Sequence, residues 1–188
     1  MRNAGYYCVA IFVASTLVGC GENANAPQAV LVQHGLKKGS ILESAEGRFR
    51  AIMPASPKKE TTTFGNDEVK IIQHKWSVFQ DNKRELYMVY YLDLPDEALK
   101  QFDKKNVLEV LANGVVADAK GSLRKKRDLS LDGVAGMEII ADVPGTGVLK
   151  GRVYVVGNRC YHIVAGMQTS KESSDDVRDF LDSFKILK

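Results

Sequence analysis

Apolar and polar positions fall into blocks whose spacing changes along the chain. Residues 8–18 (CVAIFVASTLV) form an apolar run of eleven, and residues 21–44 are small and polar apart from Ala29-Val30-Leu31-Val32. From residue 48 onward, short apolar stretches alternate with turn residues. Residues 48–53 read as a strand closed by Pro54 and Pro57, and 60–64 as a second closed by Gly65-Asn66-Asp67. Within 69–79, Ile72, His74, Trp76 and Val78 recur every second residue, which places them on one face of a strand. Residues 85–92 (ELYMVYYL) are apolar almost throughout, the signature of a central strand covered on both faces.

The period then lengthens. Pro95-Asp96-Glu97 suits the first turn of a helix, where proline loses no hydrogen bond and acids complement the positive end of the dipole. Leu99 and Phe102, then Leu108, Leu111 and Val115, recur at three- and four-residue spacing, and Asp103 is a candidate start for a second helix. Gly121 ends this region. Strands are predicted again over 123–131, 137–143, 148–156 and 160–167, joined by Asp132-Gly133, Pro144-Gly145-Thr146-Gly147 and Gly157-Asn158. Ser173-x-x-Asp176 reads as the cap of a final helix whose Val177, Phe180, Leu181 and Phe184 make one stripe. Four strands, a helix, four strands and a helix, with tight hairpins, predict the α+β class with an antiparallel β-sheet.

Composition adds limits. The 188 residues are 45% apolar and 26% charged, an ordinary globular balance. Twenty-six Lys and Arg against 23 Asp and Glu give +3, too near neutrality for a nucleic-acid partner held by bulk charge. Eleven helical residues cover about 16 Å, half of a roughly 30 Å bilayer core. With Arg2 ahead of them, residues 1–19 are therefore expected to be an export signal and not a spanning helix.

Leu17-Val18-Gly19-Cys20 resembles the lipobox of bacterial lipoproteins at all four positions. The resemblance implies cleavage between Gly19 and Cys20, a diacylglyceryl group on the Cys20 sulfur, acylation of the new amine, and membrane lipid as a partner. Gly21, where an Asp often signals inner-membrane retention, leans towards the periplasmic face of the outer membrane in a Gram-negative cell. Residues 20–44 then read as lipidated cysteine and flexible tether, about 27 Å in r.m.s. span and about 80 Å taut. Residues 29–32 could instead pair at a sheet edge. Removing Cys8 and alkylating Cys20 leaves Cys160 as the sole thiol, so no intrachain disulfide is expected.

Phe49 with Pro54 and Pro57, the tyrosine-rich stretch 85–95, Arg159-Cys160-Tyr161-His162, and Phe180-Leu181-x-Ser183-Phe184 together resemble the PsbP-like fold in layout and aromatic placement. That group includes the extrinsic protein of photosystem II, lipid-anchored bacterial relatives and a eukaryotic Ran-binding import factor. The resemblance spans residues 45–188. It implies an antiparallel sheet flanked by helices, and a non-catalytic role in binding or assembly. No family site residue can be matched position by position.

Candidate chemistry is sparse. Cys160 and His162 sit two apart on a predicted strand and share a face. As a nucleophile pair they would need a stabilised thiolate; the plainer expectation is a buried cysteine and a hydrogen-bonded histidine. No further His or Cys lies at metal-ligand spacing, so neither metal nor cofactor is expected. His74 lies on an apolar strand face and reads as half-core, and His34 as solvated in the tether. Gly145-x-Gly147 falls between strands, which makes it a turn and not a phosphate loop. Arg124-Lys125-Lys126-Arg127 is the sharpest charge cluster, either an anionic-surface contact or an edge strand charged against aggregation. Tyr87, Tyr90, Tyr91, Tyr154 and Tyr161 either line a ligand groove or fill a core. The expected function is an exported, lipid-anchored, non-catalytic module that binds an unidentified envelope protein. The alternatives are a small-ligand carrier using an aromatic pocket and a cysteine-dependent hydrolase using Cys160 and His162.

Overall fold

The computed structural model describes residues 39–65, 70–95 and 103–188. Gly19, Cys20, His34, residues 29–32 and the helix expected from Pro95 through Phe102 lie outside these or run out of them. The described elements, in order, are β1 (Ser40–Ser44), β2 (Phe49–Met53), β3 (Lys58–Gly65), β4 (Lys70–Gln80) and β5 (Glu85–Asp93). They continue with α1 (Lys104–Asp118), β6 (Ser122–Leu131), β7 (Val134–Val143), β8 (Gly147–Val156) and β9 (Arg159–Met167). A short 3-10 turn (Thr169–Lys171), α2 (Asp175–Asp182) and β10 (Lys185–Ile186) close the chain.

Seven strands pair in the order β3-β4-β5-β9-β8-β7-β6, and β1-β2-β10 form a second, smaller sheet. Every ladder is antiparallel. The hairpins β6-β7, β7-β8 and β8-β9 sit at the turns read from Asp132-Gly133, Pro144–Gly147 and Gly157-Asn158. β5 is interior as its composition requires: Tyr87, Val89 and Tyr91 enter one core, Tyr90 and Leu92 the other.

The small sheet departs from the sequence reading in two places. Ser40–Ser44 is strand β1, paired with β2 from Ser40↔Met53 to Ser44↔Phe49, and not the end of a tether reaching residue 44. Its inward positions are Ser40, Leu42 and Ser44, so a single apolar side chain carried the signal. The Ser44 hydroxyl accepts the Gly47 N–H at 2.9 Å and closes the turn into β2. At the other end β10 pairs with β2 opposite Arg50 and Phe49, so the first and last strands of the domain share one neighbour. Two residues are too short for periodicity to show.

Helix α1 begins as expected at Asp103, whose carboxylate accepts the Asn106 N–H at 2.8 Å. It ends where Gly121 N–H reaches the Val116 carbonyl at 2.9 Å. Helix α2 is capped by Ser174, one residue later than the predicted Ser173, with Asp175 and Asp176 in its first turn. At its end the Ser183 hydroxyl accepts the Ile52 N–H at 2.9 Å, fastening the helix to β2.

The large sheet thus has two covered faces. Helix α1 lays Val107, Leu108, Leu111, Ala112 and Val115 on one, against Leu92, Ile139, Val153 and Val164. The small sheet and α2 cover the other, where Phe49 stacks on Phe184 at 5.7 Å and meets Trp76 edge-on at 5.3 Å. Truncating Phe49 to Ala is expected to cost about 3–5 kcal/mol in urea unfolding. Truncating Phe79, 59% exposed on β4, should cost less than about 1 kcal/mol.

Candidate functional site

Cys160 and His162 share the α1-facing side of β9, as the spacing requires. Both are buried, Cys160 completely. Burial pushes the Cys160 thiol up to about 12, and holds the His162 imidazole down to about 3. At neutral pH the pair is therefore an uncharged thiol beside an uncharged ring, and the hydrolase reading loses its nucleophile. The expected hydrogen bond to His162 is not there. Its ring lies flat on Tyr90, its cross-strand partner, with centroids 4.3 Å apart, and neither ring nitrogen has a partner among the described residues.

Arg159 points to the opposite face and organises the rim there. Its guanidinium grips the Asp93 carboxylate with two bonds of 2.7 Å, donates to the Glu46 carbonyl at 2.6 Å, and covers the Tyr91 ring at 4.5 Å. The Asp93 hydrogen bonds hold the guanidinium protonated against the cost of burial. His74 stacks on Tyr91 from 4.9 Å, and its ring lies 3.3 Å from the Thr61 hydroxyl and 3.7 Å from the Glu46 carboxylate. Burial, then the nearby Glu46 carboxylate, pushes the Tyr91 phenol up to about 12. This rim was not read from the sequence, because it depends on Asp93 facing Arg159 across the β5-β9 ladder. The contacts of Arg159 and His74 with Glu46 lock the β1-β2 turn to the large sheet.

The basic cluster lies on β6, the outer strand of the large sheet. Arg124 binds Glu172 at 2.9 Å and Asp142 at 2.8 Å, Lys126 pairs with Glu109 of α1, and Arg127 reaches Glu138 at 2.7 Å. Lys125 alone of the four has no ion pair among the described residues. A register shift between Leu123 and Lys125 bulges the strand at Arg124. Burial alone would raise Glu138, but hydrogen bonds from Arg127 and Arg152 outweigh it and hold the carboxyl below its usual range.

Among the tyrosines, Tyr87, Tyr91, Tyr154 and Tyr161 fill the core under the small sheet. Tyr161 donates to the Gly47 carbonyl at 2.9 Å and Tyr87 to the Glu85 carboxylate at 2.8 Å. Tyr90 borders a cleft of about 310 Å³ between the end of α1 and strands β4, β5, β8 and β9, whose lining includes none of those four. A second hollow, of about 550 Å³, lies open to solvent beside the β7-β8 turn and is walled largely by residues 142–147. Among the described residues no cluster of His, Cys, Asp or Glu could hold a metal ion, and no helix is long and apolar enough to cross a membrane.

The solved structures supply the architecture's place. The solution structure of cyanobacterial PsbP (CyanoP) from Synechocystis sp. PCC 6803 matches with a TM-score of 0.55. The match covers 88% of this chain and 98% of that one. The fold is PsbP-like. Sequence identity is 11%, so the likeness is one of backbone layout and transfers no residue roles. Neither a known sequence family nor a curated protein matches the chain. The PsbP-like domain accounts for the aromatic positions at Phe49, Tyr161 and Phe184, which meet in one core.

Two measurements follow from the buried pair. Iodoacetamide at pH 7.5 should leave Cys160 unmodified in the folded chain and alkylate it in urea, as read by peptide mass. His162 binds its proton more weakly when folded, so its contribution is complete above about pH 6.5 and is lost as pH falls towards 3. The limiting slope is about 1.4 kcal/mol per pH unit. Urea midpoints between pH 7 and 5 should fall for the native chain, and fall less for His162→Phe; equal slopes would reject the assignment.

Proposed function

We propose that the chain is an exported lipoprotein whose PsbP-like domain is a non-catalytic binding or assembly module for another envelope protein. The observation that carries this reading is Leu17-Val18-Gly19-Cys20 behind an apolar run too short to span a bilayer. Acyl chains on Cys20 would hold the chain in a membrane, since each buried CH₂ contributes about 0.8 kcal/mol and several chains add. Gly21 favours the periplasmic face of an outer membrane. Residues 21–39 precede β1, so the domain would stand at most about 70 Å from its anchor.

Such an anchor raises the effective concentration of the domain towards any neighbour in the same membrane. The non-catalytic part of the reading is supported by the fully buried Cys160 thiol and by a fold shared with cyanobacterial PsbP. Lys125 and its ion-paired neighbours on β6 are the candidate contact with anionic headgroups or an acidic partner. Exposed pairs contribute little to stability, so they can exchange partners cheaply.

The test is metabolic labelling with radioactive palmitate. The native chain should incorporate label and sediment with membranes, whereas Cys20→Ser should do neither. An unlabelled native chain, or a Cys20→Ser chain that still sediments, rejects the anchor. Crosslinking in native membranes should capture a protein through the anchored domain. Copurification of a small molecule with no captured protein rejects the assembly role.

A further inference from the structure

The cleft beside α1 has a polar group with nothing to do. Gln73 lines it from β4, is 3% exposed, and its amide nitrogen has no hydrogen-bond partner. A buried unpaired amide costs about 1–3 kcal/mol, so its presence calls for an occupant. The terminal torsion of glutamine is broad and nearly two-fold, so about a half-turn of it exchanges the positions of the NH₂ and the C=O.

The floor gives a second, independent sign. Gly166 of β9 lines the same cleft, and a Cβ built on it would meet nothing nearer than Leu86 at 3.8 Å, an ordinary contact. Packing therefore does not require glycine there. Glycine inside a strand weakens it, and often marks a place where a ligand approaches the backbone.

Size and lining narrow the ligand. A water takes about 30 Å³ of liquid, so 310 Å³ holds about ten waters or one small amphiphile. Leu86, Met88, Val115, Leu149 and Val164 supply apolar wall. The charged groups on the lining argue against an ionic ligand. Lys75 is already paired with Glu60 at 2.7 Å, and the Asp118 carboxylate acts on the Tyr90 hydroxyl. An anionic head would have to displace Glu60 from the lysine on the lining.

The geometry points to a binding site for an uncharged amphiphile, with an amide or ketone carbonyl head on Gln73 and a short alkyl body along Met88 and Val115. Small-molecule sites share this plan of apolar walls with a few convergent polar groups. Tyr90, braced from behind by the His162 ring, forms a rigid part of the wall. The site lies in the folded domain and does not depend on Cys20, so it stands or falls separately from the anchor.

The test titrates octanamide into the ¹⁵N-labelled full chain. Saturable shifts should concentrate at Gln73, Met88, Val115, Ala119 and Gly166, and octanoate should bind about tenfold more weakly, a difference of about 1.4 kcal/mol. Gly166→Val fills the floor and should abolish the response. Gln73→Leu should weaken octanamide binding about tenfold while raising the urea midpoint, because it removes the unpaired amide. A raised midpoint shows that the variant folds. Scattered or non-saturating shifts overturn the proposal, as does unchanged binding by folded Gly166→Val or Gln73→Leu. Octanoate binding as tightly as octanamide overturns the uncharged-head assignment.

Discussion

The face-to-face packing of Phe49 on Phe184 is the contact on which the domain depends. One ring comes from β2 near the start of the described residues and the other from just beyond α2 near the end. Both are buried, and Trp76, Tyr91 and Tyr161 of the large sheet close round Phe49 at 5.3–6.3 Å. Aromatic pairs of this kind contribute about 0.5–1.5 kcal/mol beyond their area. The arrangement leaves no slack at the turn before β2. A Cβ on Gly47 would come within 2.7 Å of both the Phe49 and Tyr91 rings, and the Gly47 carbonyl is already taken by the Tyr161 hydroxyl. Ring, turn and strand therefore fix one another.

From that contact the architecture follows. β2 must lie over β4, β5 and β9 to place Phe49, and this leaves both of its edges free to take β1 and β10. α2 then has one apolar stripe, Val177, Phe180 and Leu181, and one place to bury it. Arg152 completes the closure from the large sheet, reaching the Leu181 carbonyl at 3.0 Å and Asp182 at 2.7 Å. It thereby caps the negative end of the helix with a cation. The same guanidinium holds Glu138, which holds Arg127, so the chain of charges runs from α2 to the outer strand.

Legibility in the sequence tracked the length of the repeating unit. β4 and the α1 and α2 stripes were readable because period two and period 3.6 had room to repeat, whereas β5 showed as a continuous apolar run and β6 to β9 by the turns between them. β1, with Leu42 as its one large inward residue, and β10, with two residues, had no such room; their identity comes from β2 supplying the missing edges. The paired cations of β6 were visible as charges but not as pairs, since Glu109, Glu138 and Glu172 reach them from three different elements. Tyrosine placement was ambiguous for a similar reason. Alternation put Tyr90 and Tyr91 on opposite faces, but which face carried a solid core and which a cleft depended on what lay above each. Cys160 and His162 shared a face as spacing demanded, yet burial, which decides their chemistry, is a property of α1 and not of β9.

The two faces of the large sheet settle their polar atoms differently. Under the small sheet the Tyr87 and Tyr161 hydroxyls each have a defined acceptor, and Arg159 spends its donors on Asp93 and Glu46. Under α1 both nitrogens of His162 and the amide nitrogen of Gln73 are buried without partners, while on the small-sheet face the Tyr91 hydroxyl and the Gln80 carbonyl oxygen are the unpartnered atoms. Each such group costs free energy that an apolar side chain of similar shape would not. Leu at 73 and Phe at 162 would serve packing better, so packing alone does not account for this face. The aromatic face is closed by its own rings and holds the fold rigid. The α1 face retains an open cleft, a glycine floor and unspent hydrogen-bonding capacity, and these are the properties by which a rigid scaffold takes up a second molecule without rearranging its core.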